Sequence, residues 1–145
     1  MAERQLEVRN DLADLEGVGE LVAGFWADYS LPPSLEGEVT LAVCEIVSNV
    51  MRHGYRDAAE HRILVRLELA GPQLIAEVED DAEPFNPLEH PAPDLVAPME
   101  RRRPGGLGVF LARSFMDRME YRREGGRNRL VMRKSVAAGP GRGRP

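Results

Sequence analysis

Apolar residues recur along this chain with two different periods, and each change of period marks the edge of an element. Between residues 12 and 29, Leu15, Val18, Leu21, Val22, Phe25 and Trp26 fall at helical spacing, which predicts a helix with one core-facing stripe. Leu31-Pro32-Pro33 breaks it. A second helix is predicted from Ser34, read as its cap, to about His53, with Leu35, Val39, Ala42, Val43, Ile46, Val47 and Val50 inward and Gly54 as its stop. The period then drops to two over residues 63–69 and again over 74–78, with Gly71-Pro72 between them, an antiparallel hairpin pattern. A shorter alternation covers residues 5–8. Helical spacing returns over 106–116, and 118–123 and 128–134 are strands joined by Gly125-Gly126.

The order is β-α-α-β-β-loop-α-β-β. It predicts an α+β chain: a two-layer α/β sandwich whose mixed, mostly antiparallel sheet carries its helices on one face, unlike the strict alternation of a doubly wound parallel sheet. Two segments lack periodicity. Residues 84–104 contain six prolines, the composition of a lid or binding loop, and residues 137–145 are a Gly/Pro/Arg tail expected to be mobile beyond a domain of residues 1–136.

Composition narrows the class. At 145 residues, 43% hydrophobic and 30% charged, the chain suits one globular domain with a real core. No run approaches the roughly 18 apolar residues of a membrane helix, and the first residues lack an apolar signal core, so a cytoplasmic protein is expected. Cys44 lies in an apolar helical stretch and reads as a small buried hydrophobe. The net charge of −5 hides a polarity: residues 1–100 carry 21 acidic and 6 basic side chains, residues 101–145 carry 3 and 13. The plain reading is mutual neutralisation in the fold. A nucleic-acid surface is disfavoured by a pI near 5.3.

Three polar islands interrupt the apolar runs. Glu45 and Asn49 are four apart on a helix, so they share a face that His53 continues. A carboxylate there can take a proton from a hydroxyl, and an amide oxygen can ligate a hard cation, although such pairs also merely solvate helices. Asp80 ends a strand, where it can accept from a ligand amine or from its own turn. Gly105-Gly106-Leu107-Gly108 opens a helix and leaves backbone N–H groups unshielded, as phosphate sites require and as simple hinges also do. His61 and His90 read as solvated. No His/Cys spacing suits a structural zinc, and no Walker-type lysine loop exists, since Lys134 is the only lysine. Phosphate charge must then be met by metal, backbone and arginine, with Arg101-Arg102-Arg103 as candidates.

Taken together, the islands resemble the N, G1 and G2 boxes of the GHKL ATP-binding superfamily with its Bergerat-type fold. Within it, LAVCEIVSNVMRHGY, VEDDAEPFNP and GGLGVFLARSFMDRMEYRREGGRNRLVMRK resemble the anti-sigma factor serine/threonine kinases of bacterial partner-switching systems, over residues 5–135. The resemblance implies ATP and Mg²⁺ as cofactors, with Glu45 as the catalytic base and Asn49 as the metal ligand. Nucleotide contacts would come from Asn49, Arg52, His53, Asp80, Ala82, Phe85, Gly105, Gly106, Leu107, Gly108 and Val109. Asp80 would receive the adenine amino group. The implied partners are a small STAS-type anti-sigma factor antagonist with a phosphorylatable serine, a sigma factor that the protein sequesters, and a second copy in a homodimer, with no nucleic acid and no membrane. Where the family's G1 segment carries glycines, this chain has Ala82 and Pro84, and Arg127 and Arg129 flank a strand position where relatives often place threonine. A catalytically weak or inactive interaction module of the same kind is the alternative, and a detached histidine kinase catalytic domain is a remoter one.

Overall fold

The computed structural model describes residues 2–89 and 106–136. The period-two segments become strands: β1 (Glu3–Arg9), β2 (Arg62–Ala70), β3 (Gln73–Asp80), β4 (Arg118–Glu124) and β5 (Arg127–Ser135). They form one sheet in the order β1-β2-β3-β5-β4, and every neighbouring pair is antiparallel, so the expected mixed sheet is wholly antiparallel among the described residues. Register follows from turn chemistry. Gly71, at φ +63°, allows the two-residue loop that pairs Ala70 with Gln73. Gly125 and Gly126 both take positive φ, as a type I′ turn needs, and pair Glu124 with Arg127.

Three helices, α1 (Leu15–Asp28), α2 (Pro33–His53) and α3 (Gly106–Phe115), cover one face of the sheet. Ile63, Val65 and Leu67 of β2, Leu74, Ala76 and Val78 of β3, and Leu130 and Met132 of β5 point at Val18, Val22, Phe25, Val39, Val43 and Val47 of the helices. Each large side chain so buried contributes roughly 1.5–3 kcal/mol. This is the two-layer sandwich that the order of elements predicts.

The other face of the sheet is ionic. Arg129 of β5 sits between Glu77 (3.1 Å) and Glu79 (3.3 Å) of β3, and Arg127 reaches Glu79 at 2.6 Å. Arg66 of β2 meets Glu77 at 3.3 Å and Glu3 of β1 at 3.7 Å. Here Arg127 and Arg129, from the basic end of the chain, pair with glutamates of the acidic part and face away from the helices.

Several boundaries differ from the sequence reading. Residues 12–14 form a separate 3-10 turn capped by Asp11, before α1 begins. Helix α2 starts at Pro33 after a Pro32 cap, so Ser34 lies inside its first turn and does not cap it; proline at the first helical position needs no N–H partner. Gly54 ends α2 at φ −83°, in the ordinary right-handed region, so its role is not conformational. Lys134, facing inward from β5, donates to the carbonyl of Phe115 and pairs with Glu38 at 3.2 Å, pinning the end of α3 to the start of α2. Arg101-Arg102-Arg103, His90, Gly105, most of the proline-rich segment and the 137–145 tail lie outside the described residues.

Candidate functional site

Asp80 is the last residue of β3 and has the inward parity of Leu74, Ala76 and Val78, so the strand buries its carboxylate. Oδ1 accepts from the Ala82 N–H and from Asn128 Nδ2, each at 2.9 Å. Oδ2 has no partner among the described residues. Burial raises the pKa of Asp80, while the bonds from Asn128 and Ala82 pull the other way.

Above this carboxylate lies a cavity of about 350 Å³. Helix α2 lines it with Ile46, Asn49, Val50 and His53, α3 with Val109, β3 with Val78, β5 with Leu130, and the 82–87 segment with Ala82, Phe85 and Pro87. A mostly apolar slot whose lining includes a carboxylate with an unshared oxygen suits a flat heteroaromatic ring carrying an N–H donor. Asn49 makes no side-chain hydrogen bond among the described residues, and no cluster of three or more His, Cys, Asp or Glu suited to a metal occurs among them. A lone amide oxygen fits a Mg²⁺ held chiefly by phosphates and water, and does not fit an all-protein metal cage.

The α2 face that lines the cavity runs 46-49-50-53, one row over from the 45-49-53 row read from the sequence. Glu45 is therefore not in the lining. It packs beside the first turn of α3, where a Cβ on Gly108 would collide with its carboxylate. Gly106 opens α3. Gly108, Leu107 and Arg52 do not line the cavity; Leu107 and Arg52 are exposed. Asn49, His53, Asp80, Ala82, Phe85 and Val109 do converge on it.

Ala82 and Pro84, where the resemblance implies glycines, lie in a segment held by close packing and hydrogen bonds. The Ala82 methyl packs onto Gly54, where an added Cβ would lie 2.8 Å from it and 2.7 Å from the Val50 carbonyl. The Gly54 carbonyl accepts from Glu83 N–H at 3.0 Å, and Arg123 donates to the Ala82 carbonyl at 2.8 Å. Gly54 thus provides the space that the alanine methyl occupies.

Two residues escaped the sequence reading. Asn128, 6% exposed, is the first inward position of β5, ahead of Leu130 and Met132; a polar residue at an inward strand position was the available signal. Tyr121 of β4 donates to its Oδ1 at 2.5 Å. His61, read as solvated, is instead held between Asp57 (2.8 Å) and Asp81 (3.3 Å) and stacks on Tyr55 with ring centroids 4.1 Å apart.

A family model described as "Histidine kinase-like ATPase domain" matches residues 8–134. The chain is similar to an anti-sigma F factor of Clostridium novyi, 31% identical over 117 residues covering 73% of this chain and 76% of that one. It is also similar to the serine/threonine-protein kinase BtrW of Bordetella bronchiseptica, 26% identical over 94 residues, 65% of this chain and 66% of BtrW. Among solved structures, the RsbU and RsbW domains of Rv1364c from Mycobacterium tuberculosis superpose with a TM-score of 0.65 at 16% identity, over 92% of this chain and 32% of that one. The histidine kinase domain of the Erythrobacter litoralis EL346 blue-light activated kinase gives 0.57 at 16%, over 82% and 61%. At such identity the two structures show the shared fold, and this chain spans about a third of the first.

Proposed function

The chain belongs to the histidine kinase-like ATPase domain family, and from that premise we propose that it binds Mg²⁺-ATP and phosphorylates a serine of an anti-sigma factor antagonist. The observation that carries this reading is the buried Asp80 carboxylate in the lining of a mostly apolar slot, with one oxygen accepting from two protein donors and the other without a donor among the described residues. In it, Asp80 Oδ2 accepts the exocyclic N–H of adenine, and Val78, Val109 and Leu130 exclude water from the ring. In this reading the phosphates leave the cavity past His53 toward the exposed Arg52, and the N–H groups at the start of α3 receive them. Asn49 would hold Mg²⁺, which would neutralise phosphate charge.

Glu45 takes the proton of the attacking serine hydroxyl as its oxygen bonds to the γ-phosphorus and the bond to ADP breaks. Positioning and charge neutralisation carry most of such a reaction. The relatives named anti-sigma F factor and serine/threonine-protein kinase support this assignment. Sequestration of a sigma factor, a homodimer and a cytoplasmic setting belong to the same reading.

A second reading, a nucleotide-regulated interaction module without transfer activity, is favoured by the position of Glu45 outside the cavity lining. Labelled ATP, Mg²⁺ and a candidate antagonist separate the two. The Glu45→Ala variant is expected to lose phosphate transfer while binding ATP as the wild type does in calorimetry. Transfer at wild-type speed by that variant would remove Glu45 from the mechanism, and binding without any transfer by the wild type would favour the module.

A further inference from the structure

Resting on the nucleotide reading above, we propose that Asn128 is the positioning residue of this site, keeping Asp80 an acceptor and so setting the preference for a 6-amino over a 6-oxo purine. Its side chain is buried and every polar atom on it is used. Nδ2 donates to Asp80 Oδ1 at 2.9 Å and to the Glu83 carbonyl at 2.9 Å, with the Ala82 carbonyl at 3.4 Å. Oδ1 accepts from Tyr121 O–H at 2.5 Å and from Phe85 N–H at 3.4 Å. The amide has one workable orientation, because the reverse would set its oxygen against a carboxylate and two carbonyls.

The chain of bonds therefore has a direction: Tyr121 donates to Asn128, Asn128 donates to Asp80, and Asp80 is left with acceptor capacity at Oδ2. A 6-amino group meets that oxygen as a donor. A 6-oxo group brings lone pair against lone pair unless Asp80 carries a proton. Burial favours the protonated form, and the bond from Asn128 opposes it. The same amide also ties Glu83 and Phe85 on either side of Pro84, so it fixes the segment that follows Asp80. The remaining ionisable groups about Asp80 are Asp81, Arg127 and Tyr55 beside it and His53, Arg56 and Glu83 in the cavity lining. All are retained in the variants below and cancel from a comparison of ATP with ITP in one protein.

The experiment is calorimetric titration of the full chain with Mg²⁺-ATP and Mg²⁺-ITP between about pH 6 and pH 9. Wild-type protein is expected to prefer ATP throughout. In Asn128→Asp, two carboxylates share a proton that can sit on Asp80 and be donated to a 6-oxo group; the ATP-to-ITP ratio should then fall below the pair's raised pKa and recover above it, a pH dependence that the wild type lacks. In Asn128→Ala the ATP-to-ITP ratio should collapse toward one. Tyr121→Phe, which leaves Asn128 in place but removes its O–H donor, should shift the ratio the same way by less, and it serves if the other variants unfold. A preserved ratio with no new pH dependence, whatever happens to melting temperature, means that Asn128 is only structural and overturns the proposal. Wild-type protein that binds neither nucleotide overturns the nucleotide reading and this inference with it.

Discussion

Gly54 and Ala82 are a matched pair, and the match is steric. An alanine at 54 places its methyl against the Val50 carbonyl and the Ala82 methyl, both under 3.0 Å away, and neither can swing aside. Gly54→Ala is expected to cost about 1–3 kcal/mol in urea unfolding, and adding Ala82→Gly should return only part, because the carbonyl clash remains. Asp80 shows the opposite relation between residue and fold. Its pKa is raised by burial, so the folded chain holds the proton more tightly than the unfolded chain. Its contribution therefore falls as pH rises through 3.8 toward the raised value, and at neutral pH the ionised carboxylate is a cost. Asp80→Asn keeps an oxygen for Asn128 and Ala82 while removing the charge and presenting a donor to the cavity. Thermal melts at neutral pH should show no loss of stability, and calorimetry no ATP binding.

At the scale of elements, α3 is held at both ends by side chains from elsewhere. Its last turn depends on Lys134, whose cation meets the carbonyl end of the helix and Glu38 of α2. Lys134→Met keeps the apolar stem but leaves the Phe115 carbonyl unpaired, and should lower stability by about 1–3 kcal/mol in denaturant melts. Its first turn abuts Glu45. Gly108→Ala pushes on the tip of a flexible carboxylate, while alanine improves helix propensity by about 1 kcal/mol. The fold should therefore survive with near-unchanged melting temperature, and phosphate transfer should drop because Glu45 has moved. A variant that melts normally and transfers at full rate would separate Glu45 from this contact.

At the scale of the molecule, one cluster joins both ends of the 54–61 loop to the site strand. His61 bridges Asp57 and Asp81, Tyr55 donates to Asp81 at 3.1 Å, and Asn10 at the end of β1 binds the backbone of His61 and Ala59. The hydrogen bond to Asp57, aided by Asp81, raises the His61 pKa above 6.5. His61 lowers that of Asp57, and against some desolvation His61 and Tyr55 hold Asp81 low as well. For His61 the stabilisation is complete below 6.5 and fades as pH rises through the raised value. For the two aspartates it is complete above 3.8 and fades as pH falls through their lowered values. Melting temperatures of wild type and His61→Gln should differ most between those limits and converge above them; a difference that stays unchanged as pH rises from 6.5 past the raised His61 value would refute the bridge.

Periodicity alone specified the strands, the helices and the two-layer arrangement, because alternation at two or near four positions states which side of an element is apolar before any partner is known. It also placed Asp80 at a strand end and Asn49 on a lining helix. It did not reveal that the cavity face of α2 is rotated one row from Glu45, since helical spacing fixes angles within a helix and not the angle at which the helix lies on the sheet. Nor did it reveal Asn128, Tyr121 or the fit of Ala82 into Gly54. These contacts join residues 28 to 48 positions apart, or rows of adjoining strands, and exist only once β5 lies beside β3 and the end of α2 meets the turn after Asp80.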